Sequence, residues 1–201
     1  MIWLLLGFGC TNSTPDEKQE TTQQTIEIPT IDEPFAPVEE CNSDRPPIVM
    51  IHGFIAAGDT FSDHAIRFAE NGNCLDHLFA FDWNTLNQSF DVSELDDYID
   101  SILEATGANQ VDLMGHSAGG GLAETYLRTP EQVEKIHKYV HIASFSIDEI
   151  PDVPTLNLFS TGDYITGGET IEGIENFPLE TEDHYQVATS EDSFQAIYQF
   201  L

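Results

Sequence analysis

Basic residues are nearly missing from this chain. Its 201 residues hold 6 Lys+Arg against 36 Asp+Glu, a formal charge of −30 at pH 7. A surface of that sign repels nucleic acid and anionic lipid, which argues against both as partners. The acid excess reads first as solvation or salt adaptation spread over the surface. The second reading is a face for a cation or a basic partner. His and Asp are too scattered for metal-ligand spacing, so the sequence calls for no metal and no cofactor. No internal repeat is visible, and the length suits one domain with a single core. Cysteine is sparse, with three in all.

The apolar run at residues 1–10, MIWLLLGFGC, is too short to span a bilayer. It resembles a signal peptide ending in a bacterial lipobox, with Gly9 before Cys10 as the lipidated residue. Residues 11–44 are rich in Thr, Gln, Glu and Pro and keep no sustained period, so they read as a disordered acidic tether. Together these segments suggest an extracytoplasmic protein, either an outer-membrane lipoprotein tethered through Cys10 or a secreted one. With Cys10 assigned to lipid, Cys41 and Cys74 remain. Each precedes a predicted strand, so a disulfide is feasible if those strands are parallel neighbours. The alternative is two separate thiols.

From residue 45 the pattern alternates. Strands are predicted at 48–52, 78–83, 111–115, 139–144 and 155–160, with a further one in 171–179. Helices are predicted at 60–71, 93–106 (Ser93 as N-cap, Gly107 as stop), 118–128 and 190–201. Strand followed by helix, repeated, means an α/β fold: a mostly parallel sheet with helices on both faces. Ligands of such sheets bind beyond the carboxyl ends of the strands.

One corner there carries chemistry. Gly115-His116-Ser117-Ala118-Gly119 is a G-x-S-x-G sequence between a strand and a helix. A serine on so sharp a turn brings the residues two before and two after it together, and Gly115 and Gly119 remove the side chains that would collide. Gly120 and Gly121 let the helix pack close to the sheet. A serine needs a base. His184, in a loop between the last strand and the closing helix, is the candidate. His64, His77, His137 and His141 are read as surface or packing residues, and His116 as packing beside the turn. The base needs an acid. Asp163, directly after strand 155–160, is chosen over Asp183, Asp148 and Asp152. The amides of Phe54 and Ala118 would form an oxyanion hole, with Gly53 permitting close approach and His52 supporting the loop.

These motifs (IVMIHGF, ATGANQVDLMGHSAGG, STGD and DHYQVATS, in the order nucleophile, acid, base) resemble the α/β-hydrolase superfamily. The likeness covers 46–201 and is nearest to the small lidless bacterial lipases and esterases. It implies a minimal fold without a cap domain and a catalytic domain over 45–201, with Ser117, Asp163 and His184 as triad. The implied activity is carboxylic ester hydrolysis through an acyl-enzyme, on a small-molecule or lipid ester, by a protein expected to be a monomer. With no cap, Ser117 is expected to be open to solvent, with Phe54, Phe61, Trp83 and Tyr164 nearby. A polyester hydrolase, thioesterase or lactonase would use the same residues. A binding protein that kept the fold and lost turnover is the alternative outside enzymes.

Overall fold

The computed structural model describes residues 41–86, 91–147 and 149–201. The apolar run, Cys10 and the tether up to residue 40 lie outside the described residues, as does Asp148.

Six strands follow in chain order: β1 (Ile48–Ile51), β2 (Leu78–Phe81), β3 (Val111–His116), β4 (Ile136–Ile142), β5 (Thr155–Ser160) and β6 (Glu175–Leu179). They form one sheet in the order β2-β1-β3-β4-β5-β6, and every pairing is parallel. The α-helices are α1 (Ser62–Glu70), α2 (Ser93–Thr106), α3 (Ala118–Tyr126), α4 (Pro130–Val133) and α5 (Glu191–Phe200).

The core has two halves because strand side chains alternate between faces. Ile48, Met50, Met114, Val140, Ile142 and Leu158 face the side that holds Phe68 of α1 and Phe194 and Ile197 of α5. Val49, Ile51, Leu113 and Tyr139 face Leu95 and Ile99 of α2 and Leu122 and Tyr126 of α3. Helices thus cover both faces, as the apolar strand cores require.

The predicted elements are present, with several boundary corrections. β2 ends at Phe81, not at 83, and α1 begins at Ser62, not at 60. β4 spans 136–142, not 139–144. The helix expected over 118–128 stops at Tyr126, and the last strand is confined to 175–179. Ser93 is not the N-cap of α2. It is the first helical residue, and its amide and hydroxyl both donate to Asp91 Oδ1, at 3.0 and 2.7 Å. The capping oxygen is therefore the Asp91 carboxylate, two residues upstream. Gly107 closes the helix as expected, with φ 72° and its amide bonded to the Leu103 carbonyl at 2.9 Å.

Cys41 and Cys74 are joined by a disulfide, with Cα atoms 4.9 Å apart. β1 and β2 are parallel neighbours, so the segments that enter them lie together. The pairing begins before the strands, since Asn42 bridges to Asn73 and its amide donates to the Gly72 carbonyl at 2.8 Å.

The strand order reverses direction between β1 and β3: β2 lies outside β1, and β4, β5 and β6 follow β3 on the other side. In sheets of this kind ligands bind beyond the carboxyl edge at such a reversal.

Candidate active site

Ser117 sits at that edge, between the end of β3 and the start of α3. Its backbone has φ 53° and ψ −123°, a conformation that L residues avoid. Hydrogen bonds on both sides hold it there. Its amide donates to the Ile142 carbonyl at 2.9 Å, and its carbonyl accepts from the Gly120 amide and the Ser144 hydroxyl, both at 2.8 Å. The glycines are sterically required. A Cβ on Gly115 would lie 2.8 Å from the Gly119 carbonyl oxygen, and one on Gly119 would lie 2.6 Å from the His52 carbonyl oxygen. A Cβ on Gly120 would meet Ser144, so that glycine lets the loop after β4 press on the elbow. Ser117 exposes 8% of its surface, less than the open site expected from the lack of a cap.

Asp163 follows β5 by three residues, and its side chain is fully buried. Its Oδ2 accepts from His184 Nδ1 at 2.8 Å and from the Thr166 hydroxyl at 2.6 Å, while Oδ1 accepts from the Ile165 amide at 2.8 Å. Burial pushes this carboxyl up, but the bonds from His184, Thr166 and Ile165 outweigh it and hold it below its ordinary value. A donor at Nδ1 leaves the lone pair of His184 on Nε2. Asp183, the adjacent acid, instead accepts the amides of Tyr185 and Gln186 at 3.0 and 2.8 Å and shapes the turn.

His116 ties this pair to the elbow. Its Nε2 donates to the His184 carbonyl at 3.0 Å, and the two rings stand 4.8 Å apart. Burial, then the charge of His184, push the His116 imidazole down to about 4, so it is a neutral donor. The expected packing beside the turn is present, but the hydrogen bond to the His184 loop was not foreseen. Gly162 serves the same loop from the other side: a Cβ there would lie 3.0 Å from the Glu182 carbonyl oxygen.

The loop after β1 closes the site. A Cβ on Gly53 would lie 3.1 Å from Ser117 Cβ, so this backbone lies directly against the serine. His52 supports the loop as expected, with Nδ1 donating to the Gly53 carbonyl at 2.9 Å and Nε2 accepting from the Trp83 amide at 3.3 Å. Among the described residues, no group accepts from the Phe54 or Ala118 amide. Both donors sit beside Ser117, and the positive end of the α3 dipole adds to the second.

The chain also matches the family model described as the alpha/beta hydrolase fold over residues 46–166. It belongs to that family. Solved structures agree on the fold. A lipase from Bacillus licheniformis, BlEst2 in mature form, is 13% identical, with 82% of this chain and 95% of that one covered at a TM-score of 0.63. The carboxylesterase CesB from Bacillus subtilis is 12% identical, with 80% and 85% covered and a TM-score of 0.56. A predicted CIB-like hydrolase from Thermoplasma acidophilum is 18% identical, with 79% and 87% covered and a TM-score of 0.58.

This α/β hydrolase holds a second His–Asp pair, His137 Nδ1 to Asp112 Oδ1 at 2.8 Å. It lies at the entry ends of β3 and β4. Five residue steps along extended chain separate Asp112 from Ser117, roughly 16 Å at ~3.3 Å per residue, so it cannot serve the serine. His64, His77 and His141 are likewise engaged elsewhere in the fold, as expected. Phe61 is a correction: it is buried in the core beside His64 and does not line the site. Tyr164, beside Asp163, is 97% exposed, and Trp83 braces His52.

Proposed function

We propose that the chain is a serine hydrolase of carboxylic esters, with Ser117 as nucleophile, His184 as general base and acid, and Asp163 as its orienting acid. The observation that carries this reading is the His184–Asp163 bond at 2.8 Å, on a loop that His116 fastens to the strained serine elbow.

His184 Nε2 takes the Ser117 hydroxyl proton as the oxygen attacks the ester carbonyl. The oxyanion accepts from the Phe54 and Ala118 amides. Collapse expels the alcohol, which takes the proton from His184, and leaves an acyl-serine. Water, deprotonated by the same imidazole, releases the acid and restores the enzyme. Asp163 holds the Nδ1–H tautomer and stabilises the imidazolium.

Apolar substrates fit the surroundings. Phe54, Ile55, Phe145, Tyr164, Ile165 and Tyr185 are exposed on loops at the carboxyl edge. Exposed apolar side chains gathered on one edge of so acidic a chain favour uncharged esters with apolar acyl groups of short or medium length. We further propose that 45–201 is the catalytic domain, that it works as a monomer, and that the leader and tether hold it outside the cytoplasm, anchored through a lipidated Cys10.

The test is turnover of p-nitrophenyl esters of graded chain length, beside a triglyceride emulsion and a polyester film. Hydrolysis is expected with the native chain and a loss of at least about 10⁴-fold in Ser117→Ala. Equal turnover by Ser117→Ala would contradict the assignment.

A further inference from the structure

Ile55 occupies a conformation its chemistry resists. Its φ is 54°, and a β-branched residue in that left-handed region is an outlier that surrounding structure must impose. Packing does not impose it, because Ile55 is 75% exposed. What is held is the peptide just ahead of that torsion: the Ile55 amide donates to Thr85 Oγ1 at 3.2 Å. Thr85 is nearly buried, at 7% exposure, on the loop that leaves β2.

That loop braces the β1 loop at further points. Trp83 bonds His52 through its amide, at 3.3 Å, and its indole Nε1, at 2.9 Å. Asp82 accepts the Gly58 amide at 2.7 Å. The bonds at His52 hold the start of the segment and those at Gly58 hold its end. Thr85 grips the middle, one residue past Phe54. The Phe54 N–H lies in the Gly53–Phe54 peptide plane, which His52 Nδ1 holds by donating to the Gly53 carbonyl at 2.9 Å. The next plane, Phe54–Ile55, is held by Thr85, so the Phe54 amide is set from both sides.

We propose that Thr85 is a positioning residue for the oxyanion hole: its hydroxyl oxygen holds the Phe54–Ile55 peptide plane and thereby keeps the adjoining Phe54 amide aimed at the developing oxyanion. The inference rests on the reading of Ser117 and Phe54 given above. An oxyanion donor acts in the transition state more than in the bound substrate, so misaiming it lowers kcat and spares KM.

The test is a pair of variants, Thr85→Val, which keeps the shape and removes the acceptor, and Thr85→Ser, which keeps the acceptor. With a soluble p-nitrophenyl ester, Thr85→Val is expected to lose about tenfold or more in kcat with KM within twofold, and Thr85→Ser to recover most of that loss. Amide hydrogen exchange over residues 53–58 is expected to quicken in Thr85→Val alone. The role is overturned if Thr85→Val keeps kcat within twofold, if its loss falls in KM, or if Thr85→Ser is equally impaired. Should the native chain show no ester turnover, the reading of the site fails. Exchange still decides whether Thr85 holds the β1 loop, and an unchanged rate in Thr85→Val would refute it.

Discussion

Among the described residues, both ring nitrogens of His64 are buried without a hydrogen-bond partner, between Phe61 and Phe194. Burial, then the nearby Arg67 charge, push this imidazole down to about 3. His116 is pushed down to about 4, again by burial first. Both stay neutral when folded and take a proton near pH 6.5 when unfolded. Their contribution is therefore whole above pH 6.5 and is lost as pH falls toward the folded values, at about 2 kcal/mol for each by pH 5. Asp112, raised to about 6 by burial against the His137 bond, acts in the opposite sense and offsets part of this. Thermal unfolding midpoints are expected to drop between pH 7 and pH 5, and to drop less in His64→Met; an equal drop in that variant would refute the assignment. At this scale the sequence was legible where sterics leave a mark. Gly115 and Gly119 frame Ser117 because any Cβ would collide. The roles of His116 and Thr85 were not legible, since each acts on a backbone group tens of residues away and leaves no local pattern.

Elements were legible where their period or caps were clean, as in α2 and β5. β4 was not, because its first turn outward is polar. His137 and Lys138 hide a strand start at Ile136, and both are satisfied by distant partners. His137 bonds Asp112, and the Lys138 ammonium donates to the Phe200 and Leu201 carbonyls at 2.6 and 3.1 Å. The disulfide is a second case. Adjacent parallel strands had to be assumed before Cys41 and Cys74 could meet, and the pairing of β1 with β2 supplies that condition. The bond closes a loop across 33 residues that includes α1. Loop-closure entropy gives it about 3–4 kcal/mol. Reduction, or Cys41→Ser with Cys74→Ser, is expected to lower the unfolding midpoint by several degrees. An unchanged midpoint by calorimetry would show that the loop gains nothing from the bond.

Across the whole molecule the fold class was legible because alternating strand and helix signals admit few topologies, and the site followed from the rule that loops at the carboxyl ends carry the chemistry. The charge acts at the same scale. Six basic side chains cannot neutralise 36 acids, so self-repulsion opposes folding at low ionic strength. The unfolding midpoint is expected to rise from 10 mM to about 0.5 M NaCl, as the screening length shrinks several-fold; a flat response would mean the acids are too dispersed to matter. The chemistry turns on one arrangement, a cramped bend that lifts one hydroxyl to an imidazole held by a buried carboxylate. Its most direct measurement is covalent labelling by a fluorophosphonate, mapped by peptide mass analysis. One label per chain is expected, on Ser117, slowed by orders of magnitude in His184→Ala. Label on another residue, or equal labelling of the His184→Ala variant, would contradict it.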